Sequence, residues 1–149
     1  MGISHIRILL VEDYAPYRSF IAALLSGNPG LHVVCEAGDG LEAIAKAEEF
    51  RPDVILMDLG LPRLNGLEAA RRIRSLVPSS KIIFLTEETD VDVVKEALNL
   101  GSTAYVVKKQ APTQLLPALA AVLQGKPFVS SGLASLNGFA STRRIGPTD

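Results

Sequence analysis

Five short apolar runs alternate with segments of helical periodicity, and this alternation constrains the fold more than any other feature of the chain. The runs are Ile6–Val11, Leu31–Ala37, Val54–Met57, Lys81–Leu85 and Ala104–Val107. Their short length and their content of Leu and β-branched residues are typical of strands that are buried on both faces. Repeated strand–helix units form a parallel sheet with helices on both faces, because the crossovers are right-handed. We therefore predict an α/β fold with a doubly wound, five-stranded parallel sheet in the strand order 2-1-3-4-5.

The segments between the runs carry signals for the ends of helices. The residues predicted to open helices are Asp39, Asn65 and either Thr89 or Asp90, since short polar side chains accept hydrogen bonds from free amides of the first turn. Pro112 suits the first turn of the last helix. Pro117 lies inside the same helical pattern and lacks an amide proton, so a kink or a late start of that helix is predicted.

The length of 149 residues favours a single domain, which we place at residues 5–125. The sequence after Gly125 is rich in Ser, Gly and Pro and has only scattered apolar residues. Residues 126–149 are therefore predicted to be a C-terminal tail or linker with no separate domain. Phe128 and Val129 are the part of this tail expected to pack against the domain.

Charge and hydropathy exclude several classes of partner. The net charge of −1 gives no electrostatic reason to bind nucleic acid or an anionic membrane. The N-terminus has no signal-peptide pattern, and the most apolar later segment, Leu115–Leu123, is shorter than the about 20 residues that span a bilayer. The single cysteine, Cys35, cannot form an internal disulfide. We expect a cytoplasmic protein with no membrane partner and no direct binding to nucleic acid.

Polar residues follow four of the five runs at the point where each predicted strand ends. They are Glu12 and Asp13, Asp58, Thr86 and Lys108. The carboxyl ends of parallel strands meet at one edge of a doubly wound sheet, where such folds bind ligands. Three carboxylates, a hydroxyl and an ammonium are therefore expected to converge there, as a site for a divalent cation and a phosphoryl group.

This set of side chains predicts phosphoryl transfer to an aspartate. A carboxylate such as that of Asp58 can attack a phosphoryl group and form an aspartyl phosphate. Glu12 and Asp13, with Asp58 and the backbone carbonyl of Gly60, would supply hard oxygen ligands for Mg²⁺. Thr86 and Lys108 would then stabilise charge on the phosphoryl oxygens.

The motifs around these positions resemble the receiver domain of bacterial two-component response regulators. The resemblance extends from about Ile6 to Gly125 and rests on Ile8–Asp13, Val54–Leu59, Leu61-Pro62, Asn65-Gly66, Leu85-Thr86 and the segment from Gly101 to Lys108. It implies a flavodoxin-like (βα)5 fold and a phosphorylation-switched signalling domain. Such a domain is not an enzyme, except that it catalyses its own phosphotransfer and slow dephosphorylation. The resemblance further implies that Tyr105 is a switch residue, which swings inward when Thr86 moves.

The resemblance also implies partners. The phosphoryl donor would be a sensor histidine kinase or a phosphotransfer protein, in contact with the first helix near Tyr14, Tyr17 and Arg18. A phosphorylation-dependent homodimer would use the helix from Thr89, the fifth strand and the last helix. Candidate residues for that face are Val91, Val94 and Leu115. One departure from the family pattern is Glu87, since a small residue usually follows the threonine there, and its carboxylate is expected to affect access to Asp58.

Three other functions remain open from the sequence. The segment from Gly125 to Leu133 resembles the exit of receivers that precede a LuxR-type helix-turn-helix, so the chain could be the receiver half of a DNA-binding transcriptional regulator. A metal-dependent phosphatase with an aspartyl nucleophile usually has an acid two residues later, where this chain has Gly60. A flavin-binding module would need a phosphate loop where Glu12 and Asp13 would repel the phosphate.

Overall fold

The computed structural model describes residues 5–87, 91–100 and 103–130. In chain order the elements are β1 (Ile6–Val11), α1 (Ala15–Ser26), β2 (Leu31–Ala37), α2 (Gly40–Phe50), β3 (Val54–Met57), α3 (Gly66–Leu76), β4 (Lys81–Thr86), α4 (Val91–Leu98), β5 (Thr103–Val107), a 3₁₀ turn (Lys108–Gln110), α5 (Ala111–Leu123) and β6 (Phe128–Val129). The strands form one parallel sheet in the order β2-β1-β3-β4-β5-β6. The predicted α/β class and the order of the first five strands are confirmed.

The sixth strand is a difference from the five-stranded sheet predicted. The chain reverses after α5 at Gly125, whose φ of 76° favours glycine. Phe128 and Val129 then pair with Ala104 and Tyr105 of β5. Two strand residues are too few to produce a periodic signal in the sequence, although Phe128 and Val129 were expected to pack. The division into a domain at 5–125 and a tail at 126–149 stays a prediction, and residues 131–149 lie outside the described part.

The hydrophobic core consists of two layers, one on each face of the sheet. Alternate residues of each strand point to opposite faces, so that in β3 Ile55 and Met57 enter one layer while Val54 and Leu56 enter the other. Helices α2, α3 and α4 cover the first layer, and helices α1 and α5 cover the second. This two-sided burial explains why the strands are continuous apolar runs.

The helix ends follow most of the sequence predictions. Asp39 accepts a hydrogen bond from the amide of Glu42 at 2.8 Å, and Asn65 accepts one from Glu68 at 2.9 Å, which confirms both caps. A kink or a late start was predicted for the last helix. The late start is wrong, because α5 begins at Ala111 and continues through Pro117, and the kink stays a prediction. Pro117 lies on the exposed face of α5. The predicted first residue of the fourth helix, Thr89 or Asp90, lies outside the described residues.

Two of the residues suggested for a partner face belong to the core instead. Val94 and Leu115 are fully buried, one in each layer, because each lies on the side of its helix that faces the sheet. The side chain of Val91 is outside the described part of the structure. Among the residues that the structure describes, no helix is both long and apolar enough to cross a membrane.

Candidate functional site

The carboxyl ends of β1 and β3 lie side by side near the centre of the sheet. The amide of Asp58 donates to the carbonyl of Val11 at 3.2 Å, and the amide of Glu12 donates to Ala37 of β2 at 3.0 Å. Parallel-strand hydrogen bonding thus continues beyond the last strand residues and fixes the backbone of the acidic residues. The predicted convergence at this edge depends on this adjacency of β1 and β3.

Three carboxylates form a cluster at this edge. Glu12, Asp13 and Asp58 each offer an oxygen, and these oxygens all lie within 4.8 Å of one another. Glu12 and Asp58 are buried, whereas Asp13 is exposed. An all-oxygen donor set that is open on one side fits a hard divalent cation such as Mg²⁺, which keeps several water ligands.

Lys108 joins the cluster from the end of β5. Its ammonium nitrogen lies 2.7 Å from Glu12 Oε1 and 3.2 Å from Asp58 Oδ2. The side chains of all three residues are largely buried, with exposures of 13%, 3% and 9% respectively. One ammonium therefore bridges the carboxylates that follow β1 and β3.

Burial and hydrogen bonds act in opposite directions on the pKa values of Glu12 and Lys108. Burial raises the pKa of Glu12, although the hydrogen bonds from Lys108 and from the Tyr14 amide oppose the shift. Burial lowers the pKa of Lys108, but the hydrogen bonds and negative charges of Glu12 and Asp58 together outweigh it and the pKa is raised. Lys108 is consequently an ammonium throughout the physiological range.

Thr86 and Tyr105 occupy the neighbouring strands. Thr86 is the last residue of β4, is buried, and pairs with Val107, the residue before Lys108. Tyr105 is fully buried in β5, with its ring centroid 6.3 Å from that of Phe84. The structure thus places Thr86 beside the strand that carries Lys108, and Tyr105 two residues before that strand ends. Their roles in phosphoryl binding and switching stay predictions.

The N-terminus of α3 packs closely against the backbone of Asp58 and Leu59. The amide of Gly66 donates to Leu59 at 3.0 Å, and a Cβ built on Gly66 would lie 2.0 Å from the carbonyl oxygen of Asp58. Only glycine permits this approach. The amide of Gly60 donates to Asp58 Oδ1 at 3.2 Å, which orients the carboxylate.

Two residues suggested for partner contacts also make contacts within the domain, and their contact with a partner stays a prediction. The hydroxyl of Tyr17 donates to the carbonyl of Lys108 at 2.8 Å. Arg18 donates to the carbonyl of Glu12 at 2.6 Å and pairs with Glu36 at 3.0 Å. Lys108 is 91 positions from Tyr17, so no local sequence pattern indicated their contact. Tyr14 is largely exposed.

A doubly wound parallel sheet whose first five strands have the order 2-1-3-4-5 defines a flavodoxin-like α/β fold. The acidic cluster lies at the switch point of that order. The family model described as "Response regulator receiver domain" matches residues 8–120. The chain belongs to the response regulator receiver domain family, whose members are signalling domains. The resemblance seen in the sequence is thereby confirmed.

The similar proteins are response regulators. The transcriptional regulatory protein LiaR of Bacillus subtilis (strain 168) is 36% identical over 129 residues, which are 87% of this chain and 61% of LiaR. The transcriptional activator protein ExaE of Pseudomonas putida is 35% identical over 86% of this chain and 60% of its own length. The chain thus spans about three fifths of these curated relatives.

A solved structure shares nearly the whole fold. The crystal structure of a LuxR-family two-component response regulator from Aurantimonas sp. SI85-9A1 has a TM-score of 0.84 and 34% identity, covering 93% of this chain and 99% of that one. The isolated REC domain of RcsB from Salmonella enterica serovar Typhimurium, solved in the presence of phosphomimetic BeF3⁻, has a TM-score of 0.81 and 26% identity. It covers 89% of this chain and 99% of the RcsB chain.

Proposed function

We propose that this chain is a phosphorylation-switched receiver that accepts a phosphoryl group on Asp58 and then controls a partner or an attached output domain. The observation that carries the proposal is the bridge from Lys108 to both Glu12 and Asp58, in a cluster of three converging carboxylates. Such a cluster supplies both a nucleophile and the charge compensation that phosphoryl transfer needs.

The chemical step is a displacement at phosphorus. An oxygen of the Asp58 carboxylate forms a bond to phosphorus while the bond from phosphorus to the donor imidazole nitrogen breaks. The electron pair stays on the imidazole, and the aspartyl phosphate remains on the receiver. Lys108 would transfer one of its hydrogen bonds from the carboxylate to a phosphoryl oxygen, and the hydroxyl of Thr86 would donate to another.

The oxygens of Glu12, Asp13 and Asp58, with the carbonyl of Gly60, would hold Mg²⁺ in this site. The cation would neutralise the repulsion between the carboxylates and the incoming phosphoryl group. The cluster fits this role because its donors are all oxygens and because exposed Asp13 leaves one side open to water.

The donor is proposed to be a sensor histidine kinase or a phosphotransfer protein, since a phosphohistidine could pass its phosphoryl group to the Asp58 carboxylate and the family is a signalling one. The curated relatives are described as transcriptional regulators. We propose that the activated chain acts through a protein partner, an output domain or a second copy of itself, because its net charge of −1 gives no electrostatic footprint for DNA.

The test is incubation of the purified chain with acetyl phosphate or phosphoramidate, with the intact mass as readout. We expect the mass of one phosphoryl group to be added with Mg²⁺, not to be added with excess EDTA, and to be lost on treatment with hydroxylamine, which cleaves acyl phosphates. No addition with either donor, or an adduct that resists hydroxylamine, would contradict the proposal.

Replacement of Lys108 by methionine is expected to increase the affinity of the site for Mg²⁺ several-fold. The ammonium competes with the cation for Glu12 and Asp58, so its removal frees both carboxylates. Without Mg²⁺ the free energy of unfolding should fall by about 1–3 kcal/mol, because the buried carboxylates lose their counter-charge. Isothermal titration with MgCl₂ and urea unfolding measure the two effects.

The matched control for this experiment is Lys109→Met, since Lys109 is the adjacent lysine and is exposed. It should leave the Mg²⁺ affinity and the stability close to those of the unmodified chain. Equal Mg²⁺ affinities for Lys108→Met and the unmodified chain would show that Lys108 does not compete with the cation.

A further inference from the structure

Tyr17 contacts Lys108 at both ends of the lysine residue. The tyrosine hydroxyl donates to the backbone carbonyl of Lys108 at 2.8 Å. The ammonium nitrogen of the same lysine lies 4.8 Å from the centroid of the Tyr17 ring, within the range of a cation–π interaction. The residue therefore fixes the start of the 3₁₀ turn and also provides a surface for the charged end of the side chain.

We propose that Tyr17 is a positioning residue, which holds the Lys108 ammonium in the place needed for phosphoryl transfer to Asp58. This inference rests on the function proposed above. It adds a residue of α1 to a site that is otherwise formed by the ends of the strands.

The position and packing of Tyr17 in α1 restrict its side chain, as a residue that positions Lys108 requires. The residue lies in the first turn of α1, directly after Pro16, which fixes the backbone there. Its ring is half-buried against the core layer under α1 and α5, with the ring of Phe20 5.7 Å away. Because this packing restricts the Tyr17 ring, the ring can in turn restrict the Lys108 side chain that it contacts.

The hydroxyl keeps its proton under all ordinary conditions. Burial raises the pKa of Tyr17, and the negative charges of Glu12, Asp58 and Glu87 raise it further. Tyr17 therefore remains a hydrogen-bond donor to the Lys108 carbonyl, and its ring remains a neutral surface for the ammonium.

Lys108 needs such support because its side chain is long and two carboxylates compete for it. Its ammonium is 2.7 Å from Glu12 but 3.2 Å from Asp58. A lysine that moved wholly toward Glu12 would leave Asp58 and the incoming phosphoryl group without the cation. The Tyr17 ring restricts this movement, because it attracts the ammonium in addition to the two carboxylates.

The first test compares Tyr17→Phe and Tyr17→Leu in the rate of phosphorylation by phosphoramidate at saturating Mg²⁺. Tyr17→Phe loses the hydrogen bond but keeps the ring, so we expect a rate about 5-fold lower. Tyr17→Leu loses both contacts, so we expect a rate about 30-fold lower. The Mg²⁺ affinity should change little in Tyr17→Phe, since Tyr17 offers no ligand to the cation and Lys108 keeps its charge and both of its carboxylate partners.

The matched control is Phe50→Leu, which removes a ring that contacts another lysine, with the Lys46 ammonium 5.9 Å from its centroid in α2, and should leave the rate unchanged. A merely structural role of Tyr17 is separated by combining Tyr17→Phe with Lys108→Met. In that background the tyrosine substitution should have no further effect on the rate. An equal loss in both backgrounds, or no loss from Tyr17→Phe alone, would overturn the inference.

A second measurement requires neither phosphorylation nor a lysine variant. Protons of the Lys108 ε-methylene lie near the Tyr17 ring and should show an upfield ring-current shift in the NMR spectrum. We expect this shift to persist in Tyr17→Phe and to vanish in Tyr17→Leu. Persistence in Tyr17→Leu would overturn the inference, whereas failure of the unmodified chain to take up phosphate would overturn the proposed function instead.

Discussion

Substitution of Asp58 by asparagine is expected to abolish the Mg²⁺-dependent addition of a phosphoryl group to the chain. The amide has no negative oxygen with which to attack phosphorus, so the rate should fall by a factor on the order of 10³ or more. The substitution conserves shape, and the amide oxygen can still accept the hydrogen bond that Gly60 donates at 3.2 Å. Intact mass after incubation with phosphoramidate and MgCl₂ measures the effect.

The chain offers a matched control in Asp53→Asn. Asp53 precedes the same strand, β3, at the opposite edge of the sheet, where it accepts a hydrogen bond from the amide of Arg7 at 2.8 Å. This variant should be phosphorylated at the rate of the unmodified chain. Undiminished labelling of Asp58→Asn would mean that another residue, such as Asp13, is the acceptor.

Substitution of Gly66 by alanine is expected to lower the free energy of unfolding by about 3 kcal/mol or more. The added Cβ would lie 2.0 Å from the carbonyl oxygen of Asp58 and 2.8 Å from the Cα of Leu59. Both are backbone atoms, so the start of α3 or the loop after β3 must move. In an open helix position alanine would instead favour folding by up to about 1 kcal/mol, which makes the sign of the effect diagnostic. Urea unfolding without Mg²⁺ provides the measurement.

Gly60→Ala serves as the control for this prediction. A Cβ on Gly60 has no atom of the described structure within 4 Å, so its stability should stay within about 0.5 kcal/mol of that of the unmodified chain. A Gly66→Ala variant as stable as Gly60→Ala would show that α3 does not pack against the backbone of Asp58 as closely as described.

Most of the sheet was predictable because burial on both faces leaves a strong signal. The runs at Ile6–Val11, Leu31–Ala37 and Val54–Met57 coincide with the observed strands residue for residue. The strand ends were equally clear for four of the five runs, since a polar residue follows each of them. The convergence of Glu12, Asp58 and Lys108 follows from the parallel arrangement of those strands.

The rest of the structure depends on contacts that no local pattern records. Tyr17 and Lys108 are 91 positions apart, and the rotation of α1 that brings them together is set by the packing of the whole helix. The role of Gly66 was invisible for the same reason, because its neighbour in space is a backbone oxygen. The late start predicted from Pro117 was wrong. The proline removes the amide that would donate to the carbonyl of Thr113, but Thr113 is exposed, so water can donate to that carbonyl.

At this site the Lys108 ammonium lies beside a cluster of three carboxylates, so the negative charge there is only partly compensated. Like charges held this close oppose the folded state, so loss of a carboxylate here relieves repulsion that the rest of the domain must overcome. A library of variants selected only for resistance to heat should therefore accumulate neutral residues at Glu12, Asp13 or Asp58. Selection for heat resistance alone would in this way remove the acidic cluster and leave the fold of the sheet unchanged.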